Sequence, residues 1–211
     1  MRDLTRVYNQ DCMEGMKEFP DKHFDLAIVD PPYGGGQHFN FRYGVGDQVY
    51  ENRKPDPEYW EEIRRVSNNQ IVWGGNYFTL NLPENRCWLV WNKGNPLDSF
   101  SDFELAWTSF NEVCKSFSLD SYGFNHADRK LTGNSTIHPT QKPVQLYKWL
   151  LKNYAREGDK ILDTHLGSQS SRIAAYDGGF DFTGYELDKD YFDAGNKRFE
   201  QHKSQLKLFA V

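Results

Sequence analysis

A tetrapeptide in the first quarter of the chain has the residue types needed to hold an amine. Asp30, Pro31, Pro32 and Tyr33 follow an apolar run over residues 24–29. The two prolines end the strand, because neither has a backbone N–H, and they also restrict the neighbouring φ angles. The Asp30 carboxylate and the fixed Pro31 carbonyl could therefore accept hydrogen bonds from one NH₂ group. Taken alone, the same residues also fit a proline-terminated strand with a capping aspartate.

A second group of residues has the layout of a nucleotide-binding turn. The segment DTHLGSQSS at 163–171 follows a short apolar strand and leads into a helix, and the next strand ends at Glu186. In doubly wound folds a glycine turn admits a ligand close to the backbone, and the following acid binds ribose hydroxyls. Asp163 could meet a positively charged amino group. Asp11 ends the first strand and is open to two interpretations, a ligand contact or the N-cap of the next helix.

The composition limits the class of protein. The chain has 211 residues, a formal net charge of −5 and 16% aromatic residues, which indicates one globular domain and excludes a generic polyanion binder. Cys12, Cys87 and Cys114 lack the spacing of a zinc site or a disulfide framework, so we expect no metal and a reducing compartment. No apolar stretch approaches membrane-spanning length, so the sequence predicts a cytoplasmic protein without membrane contact.

Strand and helix patterns alternate along most of the chain. They predict an α/β fold with a doubly wound, mostly parallel sheet, in a single domain over 1–211. The predicted strands are 6–10, 24–30, 69–76, 86–93, 103–110, 158–163 and 180–186, and the predicted helices are 12–18, 56–67, 143–155, 170–179 and 189–202. Residues 34–55 and 111–137 have no period, which is typical of functional loops.

Three motifs together resemble one enzyme family. In chain order they are DPPY at 30–33, HPTQKP at 138–143 and DTHLGSQSS at 163–171. This order resembles the beta class of amino-methylating DNA methyltransferases, and the resemblance covers nearly the whole chain. The segment IVWGGNYF…RCWLVWNKG is similar to a phage or mobile-element branch. The resemblance implies a circularly permuted, Rossmann-like class I methyltransferase with a seven-stranded sheet.

The resemblance implies S-adenosylmethionine as the methyl donor. The turn from Asp163 to Ser168 would hold its methionine part, Glu186 its ribose and Asp11 its adenine edge, while residues 138–143 would close the methionine side. The implied cofactor-binding residues are Asp11, His138, Thr140, Gln141, Lys142, Asp163, His165, Leu166, Gly167, Ser168, Gln169, Ser170, Glu186 and Leu187. The family usually has glycine where this chain has Gln169, so a side chain there could crowd the pocket or point away from it.

The resemblance assigns catalysis to Asp30, Pro31, Pro32 and Tyr33. The two acceptors would localise the lone pair of an exocyclic base amine, and the tyrosine would stack on a base flipped out of double-stranded DNA. Aspartate at the first motif position favours adenine N6 over cytosine N4, and no cysteine follows a proline, which argues against cytosine C5.

The resemblance also implies the partners of the protein. A homodimer is expected, as is DNA contact through 34–55 and through 111–137, where Lys115, Arg129 and Lys130 add positive charge. Two rival interpretations stay open: a methyltransferase acting on RNA or a protein amide, and a non-catalytic relic that binds DNA.

Overall fold

The computed structural model describes residues 3–34, 53–94, 101–119, 137–138 and 140–209, with side chains as far as residue 205. Most of the two predicted loops, 34–55 and 111–137, therefore lies outside the described residues. Arg129 and Lys130, which we predict to contact DNA, fall in that part of the chain.

Eight strands in the described residues form one sheet. They are β1 (Thr5–Tyr8), β2 (Phe24–Val29), β3 (Ser67–Trp73), β4 (Trp88–Asn92), β5 (Phe103–Thr108), β6 (Lys115–Ser118), β7 (Lys160–Asp163) and β8 (Asp181–Tyr185). Their order is β1-β8-β7-β2-β3-β5-β4-β6. Neighbouring strands run parallel except for β5, which is antiparallel to both β3 and β4. This confirms the predicted α/β fold with a mostly parallel sheet.

The described residues form five α-helices, four of which connect strands while the fifth follows β8. They are α1 (Cys12–Met16), α2 (Pro57–Val66), α3 (Val144–Tyr154), α4 (Ser170–Gly178) and α5 (Lys189–Phe209), with a 3-10 turn at Gly75–Tyr77. Asp56 occupies the N-cap position of α2, but its side chain caps no backbone N–H there. It pairs instead with Arg53 at 3.0 Å. Among the described residues, no helix is both long and apolar enough to span a membrane.

The sheet buries both of its faces. Leu26 and Ile28 point into a core with α3 and α4, whereas Ala27 and Val29 point into a second core with α2. Side chains alternate between the faces of a strand, so a strand buried on both sides must be apolar throughout. This explains the uninterrupted apolar run of β2 and confirms the double winding.

The expected strand number was wrong. The described sheet has eight strands rather than seven, because β6 extends it within the predicted patternless segment 111–137. The sequence of β6, KSFS, has a single large apolar residue and no apolar run. Its pairing with β4, for example Val90 with Ser116, makes it a strand, and short sequences do not reveal such tertiary pairing.

Four neighbouring parallel strands determine where the site forms. β1, β8, β7 and β2 lie side by side, so their carboxyl ends meet at one edge of the sheet. Asp30 follows β2, Asp163 ends β7 and Glu186 follows β8. In open α/β sheets this edge is where ligands bind.

Candidate active site

A cavity of about 680 Å³ opens at the carboxyl ends of these four strands. Most of the predicted site residues line it, from all three motifs. They are Asp11, Asp30, Pro32, His138, Thr140, Gln141, Lys142, His165, Leu166, Gly167, Ser168, Ser170, Glu186 and Leu187. The structure thus brings together residues that lie more than 170 positions apart in the chain. Four predicted residues do not line this cavity: Pro31, Tyr33, Asp163 and Gln169.

The Asp30 carboxylate is held on both of its oxygens. The Tyr33 hydroxyl donates to Oδ1 at 2.6 Å, and the Lys142 ammonium donates to Oδ2. Lys142 also donates to the Tyr33 hydroxyl at 3.3 Å. Burial raises the pKa of Asp30, and the Lys142 ammonium opposes that rise. Asp30 is therefore a partly buried acceptor whose ionised form depends on a paired cation.

Tyr33 turns away from the first cavity. Its ring stacks on Tyr77 with centroids 4.9 Å apart and planes 15° apart. A Cβ atom on Gly74 would lie 2.2 Å from this ring, and Gly74 has a φ of +66°, so glycine is required there both by space and by backbone conformation. The tyrosine that we predict to stack on a base thus packs against a second aromatic ring and does not line the first cavity.

A second cavity of about 430 Å³ borders Tyr33. It is lined by residues of the motif, the 3-10 turn and the strands β4 and β5: Tyr33, Gly74, Asn76, Tyr77, Lys93, Ser101, Asp102, Phe103, Glu104 and Leu105. Asp30 lines the first cavity and Tyr33 the second. The tetrapeptide at 30–33 therefore contributes residues to two cavities, which a methyl donor and a methyl acceptor could occupy.

The glycine turn after β7 is locked to the acid after β8. The Gly167 N–H donates to Glu186 Oε2 at 2.7 Å, and the Asp188 N–H donates to Oε1 at 3.0 Å. Gly167 has a φ of +48°. Each carboxylate oxygen has a second lone pair, so Glu186 can still accept hydroxyl hydrogen bonds from a ligand in the cavity.

Asp163 lies beneath the turn instead of facing the cavity. Its Oδ1 accepts from the His165 N–H at 3.0 Å, and its Oδ2 accepts from the Ser171 hydroxyl. Burial raises the pKa of Asp163 to about 7, although both hydrogen bonds oppose the rise. The sequence predicts contact of Asp163 with a ligand amino group. In the structure both of its oxygens accept hydrogen bonds within the turn, and its side chain does not line the first cavity.

Asp11 both caps a helix and lines the first cavity. Its side chain accepts from the Met13 N–H at 2.8 Å, which makes it the N-cap of α1. It also lines the first cavity. The two interpretations of the sequence are therefore compatible.

Gln169 points away from the cavity. Its φ of +59° is the left-handed conformation that glycine adopts easily. The side chain is buried. Its Nε2 donates to the Phe192 carbonyl of α5 at 3.2 Å, and its Oε1 accepts from Arg172 of α4 at 2.9 Å. The departure from the family pattern therefore does not crowd the ligand space.

The segment around residues 138–142 covers the turn from the other side. The His138 ring packs on Gly167 and meets the Tyr191 ring edge-on, with centroids 4.4 Å apart. The Thr140 N–H donates to His138 Nδ1 at 3.3 Å. Burial, together with the nearby Lys142 charge, lowers the pKa of His138 to about 4, so the ring is neutral at physiological pH. Burial likewise lowers the pKa of His165 to about 4.

Several residues of the two cavities could not be predicted from the sequence. Tyr59, Tyr147 and Tyr191 line the first cavity, and Lys93 and Glu104 line the second. The tyrosines sit on helical stripes that resemble ordinary core positions, so no local signal distinguished them. Glu104 did carry a signal, because an acid inside the apolar strand FELAWT requires a partner.

Comparisons with known proteins show the family of the chain. The family model N6_N4_Mtase, described as DNA methylase, matches residues 72–197. The chain is similar to the type II methyltransferase M.HinfI of Haemophilus influenzae, with 23% identity over 95% of this chain and 69% of the relative.

Two solved structures share the fold. The M1.HpyAVI–SAM complex matches with a TM-score of 0.62 and 19% identity, over 92% of this chain and 98% of the other. The PvuII DNA methyltransferase (cytosine-N4-specific) matches with a TM-score of 0.63 and 17% identity, over 92% and 86%.

Proposed function

This chain belongs to the N6/N4 DNA methylase family, and on that premise we propose that it transfers a methyl group from S-adenosylmethionine to the N6 amine of an adenine flipped out of double-stranded DNA. The observation that carries the proposal is the position of Asp30. Its carboxylate lines the cavity of the glycine turn and accepts a 2.6 Å hydrogen bond from Tyr33, which lines the second cavity. Methyl transfer requires the amine of the base and the methyl donor to lie next to each other, one on each side of the residues that hold the amine.

The first cavity fits the methyl donor. Its volume of about 680 Å³ falls within the usual range for small-molecule sites, about 300–1,000 Å³. Glu186 would accept the ribose hydroxyls, Asp11 and Leu187 would border the adenine, and the turn at Gly167 would hold the methionine part beside His138. The outward direction of the Gln169 side chain leaves that space open. When bound, S-adenosylmethionine supplies an electrophilic methyl group on a sulfonium.

The residues at 30–33 suit an amine nucleophile. The lone pair of an exocyclic base amine is delocalised into the ring, and hydrogen-bond acceptors on its two hydrogens favour the localised form. The Asp30 carboxylate and the Pro31 carbonyl would supply those acceptors, with the proline ring restricting the latter. Tyr33 would align the base from the second cavity, and alignment can contribute on the order of 7–11 kcal/mol.

Adenine is our proposed target because the motif begins with aspartate. A second candidate, cytosine N4, is favoured by the likeness to the PvuII enzyme, whose description names that specificity. The second cavity would accept either base through the Tyr33 and Tyr77 rings. DNA contact through the segments 34–55 and 111–137, and a homodimer, also remain part of the proposal.

A transfer assay with matched variants tests the proposal. Purified protein is incubated with methyl-labelled S-adenosylmethionine and, separately, with duplex DNA, RNA and protein, and labelled DNA is digested to nucleosides. We expect label in DNA as N6-methyladenine, and a loss of about 100-fold or more in Asp30→Asn. Asp193→Asn, an exposed acid paired with Lys189, serves as the control and should behave as wild type. DNA binding without any label transfer would instead identify a non-catalytic relic, and labelled N4-methylcytosine would replace the adenine assignment.

A further inference from the structure

A chain of four charged side chains runs between the two cavities. The Lys93 ammonium pairs with Glu104 Oε1, and Glu104 Oε2 lies 3.2 Å from the Lys142 ammonium. Lys142 in turn contacts Asp30 Oδ2. Asp30 and Lys142 line the first cavity, while Lys93 and Glu104 line the second. The charges alternate in sign along the chain and sum to zero.

Lys142 is the most buried member of this chain. Its side chain is 3% exposed, against 13% for Asp30 and 24% for Glu104. A buried ammonium is costly unless it is paired, so its position is fixed by the two carboxylates around it. Those carboxylates raise the pKa of Lys142 despite its burial, which keeps it cationic.

Lys142 is shared unequally between its two acids. It donates hydrogen bonds to Asp30 and to the Tyr33 hydroxyl, whereas Glu104 Oε2 is an ion-pair partner that accepts no hydrogen bond among the described residues. Glu104 therefore competes electrostatically for the cation that fixes Asp30. Lys93 weakens this competition because it neutralises Glu104 from the other side.

We propose that Lys142 is a positioning residue that clamps the Asp30 carboxylate at the junction of the cavities, and that Glu104 and Lys93 set the strength of the clamp. The proposal rests on the proposed function and deepens it. The clamp leaves the remaining lone pairs of Asp30 to face an incoming amine in one orientation. Lys142 would thus act on the residue that binds the target base, in addition to lining the first cavity.

Several other groups act on Asp30 from the surrounding elements. Tyr33 donates to it directly, and its charge is felt by Asp163 of β7, Tyr147 of α3 and Tyr59 of α2. Burial raises the pKa of all three of these groups. The tyrosines therefore stay neutral, and Asp163 is the remaining neighbour whose charge could change near neutral pH.

A carboxyl titration tests the clamp without any need for activity. Protein labelled with ¹³C at the aspartate carboxyl is titrated by NMR, and the resonance missing in Asp30→Asn identifies Asp30. Lys142→Met should raise the Asp30 pKa by about one to three units, because it removes the adjacent cation. Lys93→Met should raise it less, whereas Glu104→Gln should lower it. Lys148→Met, an exposed lysine paired with Asp177, is the control and should leave it unchanged.

The directions of these three changes in the Asp30 pKa distinguish a clamp from a purely structural role of the charged residues. General loosening would move the Asp30 pKa in one direction in all three variants, and that outcome, or an unchanged value in Lys142→Met, would overturn the proposal. Lys93 is 21% exposed, so we expect Lys93→Met to fold. If Lys142→Met does not fold, the opposite shifts of the Asp30 pKa expected in Lys93→Met and Glu104→Gln still test the proposal.

The pH profile of methyl transfer supplies a second readout. The acid limb of log kcat/KM should move to higher pH in Lys142→Met and to lower pH in Glu104→Gln. Lys142→Arg should restore part of the wild-type profile. Absence of transfer in the wild-type protein would refute the proposed function, while the NMR titration would still decide on the clamp.

Discussion

Replacing Gln169 by glycine sets two effects of opposite sign against each other. Gln169 has a φ of +59°, so glycine would remove the strain of a left-handed conformation, about 1–2 kcal/mol. Glycine also has more conformational entropy in the unfolded chain, which destabilises the folded state by about 0.4–1 kcal/mol and offsets part of this gain. From the backbone alone, Gln169→Gly should be slightly stabilising.

The side chain changes the sign of the expected result. Its Oε1 accepts a 2.9 Å hydrogen bond from the Arg172 guanidinium, and its Nε2 donates to the Phe192 carbonyl. A hydrogen bond to a charged group contributes about 1.5–3 kcal/mol and a neutral one about 1 kcal/mol. The net loss should be about 2–3 kcal/mol, which for a chain of this size lowers Tm by roughly 4–12 °C.

Urea unfolding and thermal melts followed by circular dichroism would measure this difference. Gln169→Ala is the matched variant, because alanine loses the same hydrogen bonds and keeps the backbone strain. The expected order of stability is therefore wild type, then the glycine variant, then the alanine variant. Calorimetry with S-adenosylmethionine should give nearly equal affinities for wild type and Gln169→Gly, because this side chain does not line the first cavity.

A second substitution on α5 tests the packing directly. A Cβ atom on Gly195 would lie 2.6 Å from Gln169 Cγ. Gly195→Ala should therefore destabilise the wild-type protein, but in the Gln169→Gly background it should stabilise by about 1 kcal/mol through helix propensity. Equal effects of Gly195→Ala in the two backgrounds, or a glycine variant more stable than wild type, would refute the reasoning.

Two further variants address the turn and the Tyr33 ring. Burial raises the pKa of Asp163 to about 7, so the wild-type protein should lose stability as the pH rises from about 4 to about 7. Measured by urea unfolding over this pH range, Asp163→Asn should gain up to about 4 kcal/mol in stability relative to wild type. A difference between the two proteins that does not change with pH would argue against a buried titrating acid. Gly74→Ala should lower the free energy of unfolding by more than about 2 kcal/mol, since it combines left-handed strain with a clash against the Tyr33 ring. Gly158→Ala, with a φ of +87° and open space around it, is the control that measures strain alone, and equal losses at both glycines would show that the clash is absent.

The sequence predicted the elements that carry long apolar runs and the turns that connect them to the site. β2 and β7 could be placed because both faces of these strands are buried and because Asp30 and Asp163 mark their ends. β6 could not, since only its pairing with β4 makes it a strand. The contact of Lys142 with Asp30 was equally out of reach, because local patterns carry no information on a pair 112 residues apart.

The acids at the strand ends show why residue type alone left their roles open. Asp163 is buried, both of its oxygens accept hydrogen bonds within its own turn, and burial raises its pKa. Glu186 receives backbone N–H groups on both oxygens yet still borders the first cavity, which leaves lone pairs for hydroxyl groups. Asp30 is paired with a buried cation at the junction of two cavities. Asp163 thus braces its turn, whereas in the proposed function Glu186 would accept hydroxyl groups and Asp30 would accept an amine. The partner of each acid, rather than its position at a strand end, distinguishes the three.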